Sequence, residues 1–266
     1  MSRAKVEAIT VETHESVATL TLNRPEKRNA LNWAMWRELL TTLRDLSERT
    51  DIRIVIVTGA AGAFCSGADL ADPLPDIHPY LQLEQINAVM EALHHIPKIT
   101  VARVNGDAIG AGANLALVCD ITIASVSSRF AEIFVRRGMS IDCGGSWILP
   151  RLIGLHKAME VCLTGSMISA TQAASLGLIN LCTEDDELDG AVSDLVGTLL
   201  EGAPIAQLLT KRLLQDGALS TFSQALDREA QAQVMNVGGR DLTEARIAFA
   251  ERRPAVFTGE WGAVEQ

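Results

Sequence analysis

Apolar positions along the chain recur at two spacings, and the alternation between them predicts an α/β fold. In 17–22, Ala18, Leu20 and Leu22 alternate with Val17, Thr19 and Thr21. With 6–11 across a turn at His14-Glu15-Ser16, this predicts a β-hairpin. Trp36, Leu39, Leu40, Leu43 and Leu46 then recur at helical spacing behind Asn32, a residue suited to capping a helix. Short β-branched runs follow at 54–58, 99–104 and 121–124, each preceded by a helical pattern or a tight turn. The stretch 80–95 reads as one of those helices, and 113–118 as the start of a buried one. Between 71 and 80 stand three prolines (73, 75 and 79), which predict an irregular, mobile loop. Beyond residue 155 helical spacing dominates. Ser169 or Thr171 opens a helix ended by Gly177, Pro204 suits the first turn of another, and 221–237 and 241–252 complete the set. The domain reading is a core over 1–200 and a helical region over 201–266.

Composition narrows the class. The 266 residues are 48% hydrophobic and 21% charged, near globular averages, so a sizeable core is available. A formal charge of −10 and a pI near 5.0 argue against nucleic acid or an anionic membrane surface as partner. No segment reaches about 18 uninterrupted apolar residues, and Arg3 and Lys5 are not followed by the apolar core of a signal peptide. Five cysteines, odd in number and without a Cys-x-x-Cys pair, speak for reduced thiols rather than a disulfide framework or a zinc site. A cytoplasmic protein is the expectation.

Candidate chemistry concentrates in two small-residue turns. The strand at 99–104 leads into Gly106, Gly110 and Gly112, and the strand at 54–58 leads into Cys65-Ser66-Gly67-Ala68-Asp69. Each is either a turn that needs glycine for its backbone angles or a place where free N–H groups meet a ligand oxygen. Two such turns are what a two-donor oxyanion hole requires. Arg24, Lys27 and Arg28 form a basic loop between strand and helix, either solvated or placed to grip phosphate. Asp142, before Gly144-Gly145, is either a helix cap or an acid with chemical work. The five histidines form no metal-binding spacing, and no Gly-x-Ser-x-Gly elbow exists. Gly110-Ala-Gly112 with Glu132 some twenty residues on imitates a dinucleotide fingerprint, but Leu115 stands where its third glycine belongs.

Together, Asn29-Ala-Leu-Asn32, Phe64-Cys-Ser-Gly-Ala-Asp-Leu70, Val104-Asn-Gly106 with Gly110-Ala-Gly112, Leu117-Val-Cys-Asp120 and Leu163-Thr-Gly165 resemble the enoyl-CoA hydratase/isomerase (crotonase) superfamily over nearly the whole chain. The resemblance implies an α/β spiral of ββα turns with a C-terminal helical region used for trimers, often stacked as hexamers. It implies an acyl-CoA thioester substrate, with coenzyme A part of that substrate and no separate cofactor. The thioester oxygen would rest on the N–H groups of Ala68 and Ala111. Contacts to the CoA or acyl part fall at Arg28, Ala30, Ser66, Ala68, Asp69, Leu70, Asn114 and Phe134, and Arg252 and Arg253 would assist. The two glutamates of family hydratases correspond to Asn114 and Phe134 here, neither able to exchange a proton near neutral pH. Glu132 lies two residues from the second of these positions. Asp142 matches the single acid of Δ3,Δ2-enoyl-CoA isomerases, and its Asp-Cys-Gly-Gly context resembles the ring-epoxide isomerases of phenylacetyl-CoA breakdown. A double-bond isomerase is therefore expected ahead of a hydratase. A non-catalytic acyl-CoA-binding protein is the reading if Asp142 only caps a helix.

Overall fold

A computed structural model describes residues 7–262. The expectations placed on Arg3, Lys5 and Val6 lie outside that range. The chain forms two compact units, one ending at Val192 and the other beginning at Ser193.

The first unit opens with the hairpin β1 (Ile9–His14) and β2 (Val17–Leu22), paired antiparallel from Ile9 opposite Leu22 to His14 opposite Val17. The strand runs through His14, so the turn shrinks to Glu15 and Ser16, with Glu15 left-handed at φ 51°. Alternation in β2 buries Ala18, Leu20 and Leu22 completely. Helix α1 (Trp33–Glu48) is capped by the Asn32 side chain, which accepts from the Met35 N–H, and buries Met35, Trp36, Leu39, Leu43 and Leu46. Then come β3 (Ile54–Gly59), α2 (Pro79–His95), β4 (Ile99–Val104), β5 (Ala108–Ile109), α3 (Ala111–Leu117) and β6 (Ile121–Ser125). They are followed by β7 (Arg129–Ala131), α4 (Gly145–Thr164), β8 (Met167–Ser169), α5 (Ala170–Ser175) and β9 (Leu181–Thr183), and α6 (Leu188–Leu200) runs across the boundary between the units.

The larger sheet has the order β1-β2-β3-β4-β6-β9, parallel from β2 onward, and β5-β7-β8 form a small second sheet. Strand order in the larger sheet never reverses. The switch point at which a doubly wound sheet takes a dinucleotide is therefore absent from the described residues. The largely apolar and β-branched runs of β3 and β4 are explained by their central places, mostly buried on both faces. The loop over 71–78 is irregular, and the buried Gln82 fastens it by donating to the carbonyls of Pro75 and Ile77.

In the second unit, α7 (Pro204–Gly217), α8 (Phe222–Val237) and α9 (Arg240–Glu251) follow. A capping box of Thr221 and Gln224 starts α8. Arg253 is held by Glu244 and Glu251. No helix among the described residues is long and apolar enough to cross a membrane.

Candidate active site

The two small-residue turns lie side by side at the C-terminal ends of β3 and β4. Gly67 takes φ +91°, and a Cβ there would sit 2.7 Å from the Ile109 carbonyl oxygen and 3.7 Å from the Ala111 nitrogen. Gly112 meets the other turn more closely still: a Cβ would fall 2.3 Å from the Cys65 carbonyl oxygen. Only glycine permits this approach. Bridges from Cys65 to Ala108 and from Leu31 to Ala68 fix the register. Ala111 is the first residue of α3 and its N–H has no intrahelical acceptor. Neither the Ala68 nor the Ala111 N–H donates to an acceptor among the described residues. The turns thus present two unspent donors within one small region.

A cavity of about 380 Å³ opens there. Its lining includes Ala30, Ser66, Ala68, Asp69, Leu70, Ala111, Phe134 and Asp142, all singled out from the sequence. Arg28 and Asn114 do not line it. Arg28 ends a short 3₁₀ turn, Pro25–Lys27, in the left-handed conformation, and its side chain is exposed; Lys27 lines the cavity instead. Asn114 is wholly buried beneath it. Trp36, Ile86, Ile133, Arg137, Met139 and Cys143 also line it and were not read from the sequence as site residues. Arg137 had only the Arg136-Arg137 pair as a signal, and nothing in that pair says which arginine faces inward.

Arg24 does not face the cavity as a phosphate ligand. Its guanidinium donates to the Ala30 carbonyl at 2.7 Å and pairs with Asp69 at 3.1 Å. Asp69 also accepts from the Ala71 N–H, so this aspartate shapes its own turn. Asn29, fully buried, donates to the carbonyls of Ala60 and Ala63 and accepts from the Arg24 N–H. Main-chain bonds from Ser66 to Arg28, from Leu31 to Gly67 and from Asp69 to Leu31 join the two loops.

Asp142 is not a helix cap. The N-cap of α4 is Gly144, in the left-handed conformation, with no side-chain cap hydrogen bond. One Asp142 carboxyl oxygen, Oδ1, is buried without a partner. Burial raises the pKa of Asp142 above the ordinary carboxylate range, against a smaller opposing hydrogen bond from Cys143. Among the described residues, Asp69 and Asp142 are the only carboxyl groups in the cavity lining, and Asp69 is occupied by Arg24. Behind the wall, Glu132 is 3% exposed, and the Asn114 amide donates to it at 3.3 Å and to the Asp142 carbonyl at 3.0 Å. Burial first, with the nearby Asp142 charge adding to it, pushes Glu132 up to about 8 despite the Asn114 hydrogen bond.

Fold and site together define an α/β spiral that aims two main-chain donors and one half-buried acid into a common cavity. The family profile described as Enoyl-CoA hydratase/isomerase matches residues 12–260, and the chain belongs to that family. It is 35% identical to the 1,2-epoxyphenylacetyl-CoA isomerase of Escherichia coli (strain K12), over 96% of this chain and the whole of that protein. It is 37% identical to a probable enoyl-CoA hydratase of Rhodobacter capsulatus, over 94% of this chain and 98% of that protein. The crystal structure of an enoyl-CoA hydratase from Bacillus anthracis superposes with a TM-score of 0.92 at 31% identity, covering 96% of this chain and all of that one. The protein is accordingly a crotonase-fold enzyme of acyl-CoA metabolism.

Proposed function

We propose that this enzyme moves a carbon–carbon double bond in an enoyl-CoA thioester, with Asp142 as the single proton carrier. The observation that carries the reading is the count of usable acids: one unpaired carboxyl group in the lining of a cavity that also holds two free amide donors. Water addition by the two-glutamate route needs a second acid at Asn114 or Phe134, and neither exchanges a proton.

Ionised Asp142 takes a proton from the carbon next to the thioester carbonyl of a 3-enoyl-CoA. The electron pair of that C–H bond delocalises toward the carbonyl oxygen, giving a dienolate. Its negative oxygen rests on the N–H groups of Ala68 and Ala111, which favour the dienolate over the neutral carbonyl. Asp142 returns a proton to the far end of the dienolate, and the conjugated 2-enoyl-CoA results. Phe134 and the apolar wall keep water out and Asp142 weakly acidic. Lys27 and Arg137 supply the positive charge for the CoA phosphates, with Ala30, Ser66 and Leu70 along the thioester arm. Coenzyme A enters as part of the substrate and no further cofactor takes part. Exposed Leu214, Phe222, Val234, Val237 and Phe249 in the C-terminal helices, with Leu219 between two of them, support assembly as a homotrimer or a homohexamer, which light scattering distinguishes.

The test is product analysis of a 3-enoyl-CoA incubated in heavy water. A 2-enoyl-CoA carrying deuterium and no 3-hydroxy product is expected. Hydrated product alone would refute the one-acid argument. A second reading, isomerisation of a ring epoxide, is favoured by the E. coli relative that is 35% identical. Turnover of a ring-epoxide thioester with no effect on the 3-enoyl-CoA would select it.

A further inference from the structure

Beneath the cavity, a glutamate outside the two positions of the family's hydratase acids is tied to Asp142. Glu132 precedes the 3₁₀ segment Ile133–Arg137, which turns its side chain inward. Four side chains face it: Asn114 from α3, Asp142 and Cys143 from the segment before α4, and Cys162 from α4. Among the described residues the one donor it meets is the Asn114 amide, whose Nδ2 bridges Glu132 Oε2 and the Asp142 carbonyl. Asn114 Oδ1 is itself buried without a partner. Gly145 packs directly on the amide, since a Cβ there would lie 2.6 Å from its Nδ2 and 2.8 Å from its Oδ1.

One amide donor does not offset the cost of burying a carboxylate, which takes two or three such bonds or a cation. A neutral Glu132 fits better, and its O–H is the kind of donor the Asn114 oxygen lacks. Two carboxyl groups in one apolar site also resist ionising together, so the charge falls on the more accessible one, Asp142.

We propose that Glu132 is a positioning residue that acts through Asn114, holding the Asp142 segment in place and staying uncharged so that Asp142 alone carries the negative charge of the site. This rests on Asp142 being the base of the reaction. During turnover the proton moves between Asp142 and the substrate while Glu132 keeps its own. Ionisation of Glu132 would set a second anion beside the developing enolate and oppose its formation.

The test uses the ligand-free, full-length protein with ¹³C-labelled aspartate and glutamate carboxyls, followed by NMR titration and assigned with Glu132→Gln and Asp142→Asn. Glu132 should titrate near pH 8, and the Asp142 signal should shift a second time in the same step. In Glu132→Gln, which removes the ionisable proton and keeps the shape, Asp142 should titrate once. Asn114→Ala should shift the Asp142 titration as well. A Glu132 transition in the ordinary carboxylate range would overturn the proposal, as would an Asp142 titration indifferent to Glu132→Gln. The wild-type titration decides the first point even if a variant fails to fold. No substrate is present, so the result stands apart from the product analysis of the isomerase reading.

Discussion

Replacing Gly112 with alanine tests whether the two amide donors depend on the contact between their turns. The new methyl carbon would meet the Cys65 carbonyl oxygen at 2.3 Å, the Cys65 Cβ at 2.7 Å and the Cys65 carbonyl carbon at 2.9 Å. Ordinary contact begins at 3.4 Å, so α3 and the 64–70 turn must part by about 1 Å. Two of the three atoms struck are backbone, so no side-chain rotation relieves the clash. Overpacking of this kind costs about 1–3 kcal/mol of stability, which for a chain of this size lowers Tm by roughly 2–10 °C. Catalysis should suffer more than folding. A 1 Å misplacement costs about 10²-fold, and losing one oxyanion donor outright costs about 10²–10³-fold in kcat. The assay pairs deuterium uptake from heavy water with the Kd of a saturated acyl-CoA, and kcat should fall about a hundredfold while Kd changes less than tenfold. Gly190→Ala in α6 is the control: a Cβ there meets nothing within 4 Å, and neither Tm nor turnover should fall. A Gly112→Ala enzyme with wild-type turnover would refute the idea that this contact sets the donor geometry.

Four further outcomes are expected. Asp142→Asn should lower turnover about 10²–10⁴-fold with little effect on acyl-CoA affinity by calorimetry, and retained activity would remove Asp142 from the mechanism. Lys27→Ala should weaken acyl-CoA binding more than Arg28→Ala does, and both should leave a CoA-free thioester unaffected; equal weakening of the acyl-CoA and the CoA-free thioester would deny a phosphate contact. Arg24→Ala leaves the half-buried Asp69 without its cation and should destabilise the fold by about 2 kcal/mol in urea titrations. The raised pKa of Glu132 gives stability a pH dependence of known sign. Below about 4.5 the group is neutral folded or unfolded, whereas between about 4.5 and 8 only the unfolded chain releases the proton. Stability from this group therefore falls as pH rises through that window, by at most about 1.4 kcal/mol per pH unit. Glu132→Gln should raise Tm relative to wild type more at pH 8 than at pH 5, and an equal change at both would contradict a neutral buried acid.

Much of the larger sheet was legible because its strands are runs of β-branched residues long enough to show. The second sheet was not, since β5, β7 and β8 have two or three residues each, too few for a period. Asp142 was visible through its Asp-Cys-Gly-Gly neighbours, but whether it capped α4 depended on Gly144 taking the left-handed turn. Lys27 and Arg28 were indistinguishable in sequence. Consecutive left-handed residues at Arg28 and Asn29 shape the loop there; asparagine favours such angles but arginine does not, so residue type alone did not announce the turn at Arg28. Glu132 was set two positions from the expected acid, and in an extended segment it would share a face with Phe134, whereas Phe134 lines the cavity and Glu132 is buried behind it. The 3₁₀ geometry after it, rather than a period of two, decides where it points.

The stitching of the 24–31 loop to the 64–70 turn has a consequence for how binding energy is used. Lys27 and the Ala68 N–H belong to one hydrogen-bonded frame, joined through Ser66, Leu31, Asp69 and Arg24. A handle gripped at its nucleotide end by that loop would steady the donor that faces the reacting oxygen. Attachment far from the chemistry would then register as rate and not only as affinity. Clipping the nucleotide from a thioester would lower kcat itself, because the frame would lose the load that holds it taut.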